Sequence, residues 1–465
     1  MPDVEGITHE AASLYRFIES IERFCASQPG FAAYLEGSSK FLSFIEGLAN
    51  STKTYLEARP KNVPDNASDY RVYRQELRTL RFAWHYVHRL VKPVADAHTL
   101  HLPESLIDCL VRRLRSMPDF AASELAILHI RELNYLQVIA GDMRAKLTEI
   151  ASLVGTSPPF PPNLGLIGIP YSQAKSILIN SLIAHEIGHF VFETRQLRDV
   201  LGPKIKAALD TAFKPVLSKL QMEDARRIPG VFTSWSEELF CDLFAVRFIG
   251  PCYCYAFIET FDLSSHLEID GTIHLRFAAP QLLFALSHPA HFYRIQKQAE
   301  MLGKLGWWAH IVNSECATQK FLARCEALPA SCFLFPFNAA LQKGFIDALD
   351  LLVADLVATV EECVQGTDTG VKEYSRLSQR VRECFLEGIV PSMVRDPESG
   401  KPVDAVTVLN VAYQLYLDNL PDLMGRILDQ DAGSAKDRTR WTEKLEQWTL
   451  KTLGDLALIS SKVGA

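Results

Sequence analysis

The sequence lacks a CxxC pair, a block of lysines and arginines, and any charge-free apolar window of about 18 to 20 residues, the length that spans a bilayer. Each absence excludes a class of protein. Ten cysteines scattered over 465 residues supply neither the density nor the pairing of a secreted disulfide scaffold, and Cys252 and Cys254 read as ordinary buried thiols. A net charge of −7 without a basic block argues against nucleic acid as a partner. The best apolar runs, such as LDLLVADLVATV, carry aspartates and suit buried helices rather than membrane spans. The opening MPDVEGITHEAASLYRF has no basic segment followed by an apolar stretch, so no signal peptide is expected, and a reducing cytoplasm is the predicted location.

What is present is an ordinary globular composition, 48% hydrophobic and 22% charged, long enough for two or three domains. Apolar positions three and four apart predict a helical N-terminal region over 1–155, with breaks at 58–69 and 116–119. Within it His85 and His88 lie three apart with no third ligand nearby, which suits a partly buried polar face. The proline-rich TSPPFPPN at 156–163 cannot be helical and marks a boundary. The run from Leu164 to Pro170 that follows reads as an edge strand. A long helix is predicted from about Ser172 to Val200, and further helices at 203–222, 234–249, 289–304, 340–365, 372–388, 404–428 and 437–460. The prediction is a mainly α protein with a little sheet in a middle domain, 156–305, followed by a helical C-terminal region, 306–465.

The chemistry concentrates in SLIAHEIGHFVFE, residues 181–193. Four-residue spacing puts His185 and His189 one turn apart on one helix face, where two neutral imidazoles can reach one Zn²⁺. Glu186 sits beside them as a general base toward metal-bound water. Chance would place HExxH in a chain of this composition roughly 0.02 times. Two protein ligands are too few, and no downstream histidine follows in the metzincin manner, so a carboxylate on another helix is expected. The segment Ser234–Ala245 supplies Glu238 and Asp242 at i,i+4 among apolar residues, where buried carboxylates need a cation or a donor. Zinc would satisfy Glu238, and the outer N–H of a ligand histidine would satisfy Asp242. Glu237 competes for the ligand role but lies off that shared face. Farther on, Pro289 suits a first helical turn with Ser287 or His288 at its cap. His288 there could donate to an oxyanion, and Arg294 could fix a carboxylate by a bidentate contact.

In this order, HExxH at 185–189, ExxxD at 238–242 and His288-Pro289 with Arg294, the motifs resemble the gluzincin metallopeptidases that include the CAAX prenyl proteases and the bacterial heat-shock protease HtpX. The likeness covers about 165–300. It implies a zincin-like core with His185, His189 and Glu238 as ligands of one catalytic zinc and Glu186 as base. Asp242 would anchor a ligand, His288 would assist the transition state and Arg294 would organise the cleft. Those relatives are commonly embedded in membranes, and this chain has no such span, so their substrates do not transfer.

The expected activity is hydrolysis of a peptide or protein substrate, as an endopeptidase, since no GxMEN-type exopeptidase segment is present. The strand at 164–170 would receive the extended substrate. One alternative is a non-catalytic zinc sensor or scaffold acting through its helical flanks, which are also where a regulatory protein partner would bind. A second is a zinc hydrolase of a non-peptide amide. One of the ten thiols could also occupy the open metal position.

Overall fold

Apolar stripes at helical spacing fold most of this chain into α-helices, and sheet forms only where a short run is apolar on both faces. The computed structural model describes residues 4–27, 36–59, 67–97, 103–130, 136–137, 140–155, 163–170, 176–214, 222–261, 288–311, 317–326, 339–418 and 435–463. The chain divides into two units, one made of Met1–Glu104 and Ala122–Lys175, the other of Ser105–Ala121 and Ser176–Ala465. Among the described residues no helix is long and apolar enough to cross a membrane.

The first unit contains α1 (Val4–Ala26), α2 (Glu36–Ala58) and α3 (Ala67–Ala97). It also contains β1 (Glu124–Ile130), β2 (Leu136–Gln137), α5 (Ala140–Val154) and β3 (Leu164–Pro170); α4 (Glu104–Arg115) lies between α3 and β1 in the chain. Two expectations are corrected here. The region 1–155 is not wholly helical, because ELAILHI at 124–130 is a strand; a short apolar run has the same period-free look in either state. The run 164–170 is the central strand and not an edge. It pairs in parallel with β1 along its whole length and antiparallel with β2 at Ile167 and Gly168. Every residue of β3 is buried, as a strand flanked on both sides requires. A substrate strand cannot add at positions already paired, so the expected docking on 164–170 is withdrawn.

The second unit holds α6 (Ile183–Thr194), α7 (Leu197–Phe213), α8 (Met222–Ile249), α9 (Pro251–Thr260) and α10 (His291–Leu305). It continues with α11 (Trp308–Ile311), α12 (Ala317–Cys325), α13 (Ala339–Cys363), α14 (Val371–Leu386), α15 (Ala405–Asp418) and α16 (Ala435–Val463). The boundary expected at 155/156 falls instead at 175/176, and 306–465 does not separate from the middle region. The reason is shared core: α13 packs on α7 and α8, and α15 packs on α9. Helix α4 belongs here too, with Arg112 Nη1 donating to the Ala457 carbonyl of α16 at 2.6 Å. The single helix expected over 172–200 is broken, beginning as a 3₁₀ turn at Ile179–Leu182 and interrupted at Gln196, whose φ of 52° is left-handed. Cys252 and Cys254 are buried and free, as their spacing suggested.

One junction positions the helix after α8. Gly250 turns the chain at φ 76°, and a side chain there would strike Trp307. Asn410 of α15 then ties the turn together, its Oδ1 accepting from the Cys252 N–H at 2.7 Å and its Nδ2 donating to the carbonyls of Ile249 at 2.9 Å and Val406 at 2.8 Å. All of these groups are buried, so Asn410→Ala should lower stability by about 2–3 kcal/mol by leaving donors and acceptors unpaired. Urea unfolding followed by circular dichroism measures this, and an unchanged midpoint would refute it.

Candidate metal centre

Helices α6 and α8 meet more closely than side chains normally allow. A Cβ on Gly188 would lie 2.9 Å from the Cys241 Cα and 3.1 Å from its Cβ, so only glycine permits this approach. His185, Gly188 and His189 share the face of α6 that meets α8, and Glu238, Cys241 and Asp242 share the facing surface of α8. The two segments singled out in the sequence are therefore brought together.

His185 Nε2 stands 3.2 Å from Glu238 Oε2, and His189 Nε2 stands 3.4 Å from Glu238 Oε1. The other ring nitrogens are held from behind, His185 Nδ1 at 3.0 Å from Asp242 Oδ1 and His189 Nδ1 at 3.0 Å from Glu237 Oε1. A carboxylate can only accept, so both Nδ1 atoms carry the proton, and both Nε2 atoms face Glu238, where a cation bound between them would take their lone pairs. Glu237 is steadied by Arg198 Nη2 at 2.9 Å.

Asp242 is wholly buried and fully used. Arg294 donates to it twice, from Nε at 2.6 Å and from Nη2 at 2.8 Å, and the Tyr253 hydroxyl of α9 donates as well. Burial alone would raise the Asp242 carboxyl, but the Arg294 guanidinium outweighs it and holds the group far below the ordinary carboxylate range. Arg294 reaches Glu238 too, with Nη2 3.4 Å from Oε2, and lies over the Phe257 ring at 5.0 Å. Burial likewise opposes ionisation of Glu238, and the adjacent imidazoles of His185, His189 and His288 outweigh it and keep the carboxyl well below its usual value.

His288 Nε2 is 3.2 Å from Glu238 Oε1, and its side chain is 46% exposed, so it borders the site from the solvent side. Helix α10 begins at His291 with Ala290 at its cap, so Pro289 does not lie in the first turn and His288 is not the cap that was expected; Ser287 lies outside the described residues. Glu186 is buried on α6 between the two histidines. His291, which sequence reasoning passed over, stacks on Phe261 at 4.1 Å, and burial pushes its imidazole down to about 3. His85 and His88 are both exposed on α3 with their rings against Phe17, and they belong to no metal cluster among the described residues.

Two donor sets are thus available. The histidines form one with Glu238, and ligand atoms of His185, His189 and Cys241 all lie within 4.8 Å of one another. Residue types suit zinc in both cases. The 3.2 and 3.4 Å contacts of Glu238 with the two Nε2 atoms are close to the roughly 3.3 Å that separates ligands about 2.0–2.1 Å from a tetrahedral ion. In addition, Glu238 Oε2 is buried without a hydrogen-bond partner, an acceptor that a cation would satisfy. Cys241 is a buried thiol that burial pushes up to about 12, so it carries no negative charge of its own at neutral pH.

No family model, curated protein or solved structure matches this chain.

The steric constraint at Gly188 makes a prediction. Gly188→Ala should force α6 and α8 apart, lowering stability by about 1–3 kcal/mol as overpacked cores do, and should weaken zinc uptake at the same time. Thermal unfolding with and without zinc reads both effects; a variant that unfolds and loads like the parent would contradict the proposed close contact.

Proposed function

We propose that the chain is a zinc-dependent hydrolase of peptide bonds, with His185, His189 and Glu238 holding the ion and Glu186 acting as general base. The observation that carries this reading is the orientation of the two imidazoles. Both Nε2 atoms face one carboxylate while both Nδ1 atoms are fixed by another, Asp242 or Glu237. Carboxylate–histidine–metal relays have this arrangement, which sets the tautomer and the ring plane.

When bound, the ion would supply Lewis acidity to a carbonyl oxygen and acidify a water. Glu186 follows His185 directly and lies three residues before His189, so it borders the same helix face; its task is to accept a proton and return it to the leaving amine. His288 is partly open to solvent and rests against Glu238, where its N–H can be turned to a developing oxyanion. Arg294 acts on Asp242 and Glu238, setting their positions.

The order of motifs fits a zincin-like core of the gluzincin kind, and the substrate class is a peptide or protein chain, cleaved internally. All cysteines among the described residues are free, which agrees with a reducing, cytoplasmic setting.

A second reading has an observation of its own. Cys241 lies within ligand range of the same histidines, and a thiolate beside Glu238 would close the coordination sphere, as structural and sensing sites do. Cobalt(II) loading separates the two. An open site gives cobalt spectra without a thiolate-to-cobalt charge-transfer band, and Cys241→Ser leaves them unchanged. A strong band lost in Cys241→Ser would establish the closed site.

The decisive comparison uses purified protein and Glu186→Gln. Zinc content should be equal, and cleavage of a proteome-derived peptide library should fall by about 10²–10⁴-fold in the variant, the range for loss of a general base. Equal cleavage by both proteins would end the mechanism. Glu238→Gln should instead lose zinc, and full metal retention by that variant would transfer the third ligand to Cys241.

A further inference from the structure

Away from the metal centre, the first unit carries an unbalanced row of arginines. Arg74, Arg78, Arg81, His85 and Arg89 follow one another on α3 at intervals of four and three residues, so they share one helix face over about 22 Å. The opposite face, with Leu77, Leu80, Trp84 and Val87, is fully buried. Because the charges are spaced helically they form no linear basic block, and the composition hides them.

Like charges three and four residues apart weaken a helix, and proteins usually alternate them with acids. Here compensation is slight. Glu10 of α1 is the acid on this face, 3.8 Å from Arg74 and 3.9 Å from Arg81, too far for hydrogen bonding. Glu76, the acid within the same stretch of α3, is used elsewhere by Tyr55 and Arg59. Among the described residues, Arg78 and Arg89 are exposed and have no ion-pair partner. A cavity of about 510 Å³ opens along this row, lined by Arg78, Arg81, Arg89, His85, Tyr86 and Phe82 together with Glu10. Phe82 is 65% exposed, an unusual position for a large apolar side chain.

We propose that this face of α3 binds a short acidic protein segment, with aspartate or glutamate carboxylates on the arginines and an apolar side chain on Phe82. Guanidinium forks match carboxylates bidentately, and the cations of the cavity wall are arginines rather than lysines. Glu10 shows the chemistry in place, a carboxylate loosely seated between two of them. A short segment is favoured over nucleic acid because the chain as a whole bears −7, which repels a long polyanion beyond the groove.

The test uses the full chain and a fluorescein-labelled Glu-rich peptide carrying one Phe, followed by anisotropy at low and physiological salt. The Glu-rich peptide should bind and weaken as salt rises. The double change Arg78→Glu with Arg89→Glu should reduce affinity by about tenfold or more, as for loss of interface charge pairs. Arg78→Gln with Arg89→Gln should fall between, and circular dichroism should be unchanged since both residues are exposed. Absence of peptide binding at low salt, or equal binding by all three proteins, would overturn the proposal. So would tighter binding of a single-stranded oligonucleotide or of phosphatidylserine vesicles through the same arginines, which would reassign the surface.

Discussion

The candidate site depends on one buried carboxylate. Asp242 has no solvent exposure, and an isolated ionised carboxylate in such a place is unfavourable by several kcal/mol. It is tolerated because Arg294 from α10 neutralises it with two hydrogen bonds while Tyr253 from α9 and His185 from α6 occupy its remaining lone pairs. Three helices therefore converge on one side chain of a fourth, α8. None of these partners could be lost singly without leaving a buried charge or donor unmet, and this mutual dependence fixes the His185 ring in one orientation.

A second constraint is steric and acts on the same pair of helices. Gly188 lets α6 lie against the Cys241 backbone, and a helix held at that distance brings Glu238 within 3.2 and 3.4 Å of two imidazoles. The electrostatic keystone sets which way the histidines face, and the glycine sets how near the carboxylate comes. Either alone would leave the three groups unsuited to one ion. The C-terminal helices contribute at one remove, since Asn410 on α15 secures the start of α9 and hence the helix that carries Tyr253.

Much of this was legible in the sequence because helical spacing is a local property. The i,i+4 pairs His185/His189 and Glu238/Asp242 needed only the period of the helix, and the apolar residues around the acids signalled that something must compensate them. The partners supplied by tertiary geometry were not legible. Glu237 was set aside as lying off the shared face, yet α6 passes close enough for its carboxylate to hold His189. Tyr253 lies beyond the turn at Gly250, and no spacing rule links it to Asp242. Cys241 read as one thiol among ten. The same limit applies to the fold. ELAILHI and LGLIGIP are short apolar runs whose state is decided by pairing with each other across some forty residues, so the first was taken for helix and the second for an edge.

The distinction between the proposed hydrolytic site and a structural or sensing one then rests on which side chain completes the ligand set. Glu238 is already anionic, its oxygens stand at the spacing of a tetrahedral edge from both nitrogens, and one of them has no hydrogen bond to give up. Cys241 is wholly buried against the glycine contact, and to bind an ion it would have to surrender a proton that burial helps it retain. Any shift of α8 would disturb the contacts of Asp242 with Arg294 and Tyr253, so the network that orients His185 also holds α8 in place. The network that makes the site rigid thus holds His185 in the one orientation on which the proposed zinc site depends.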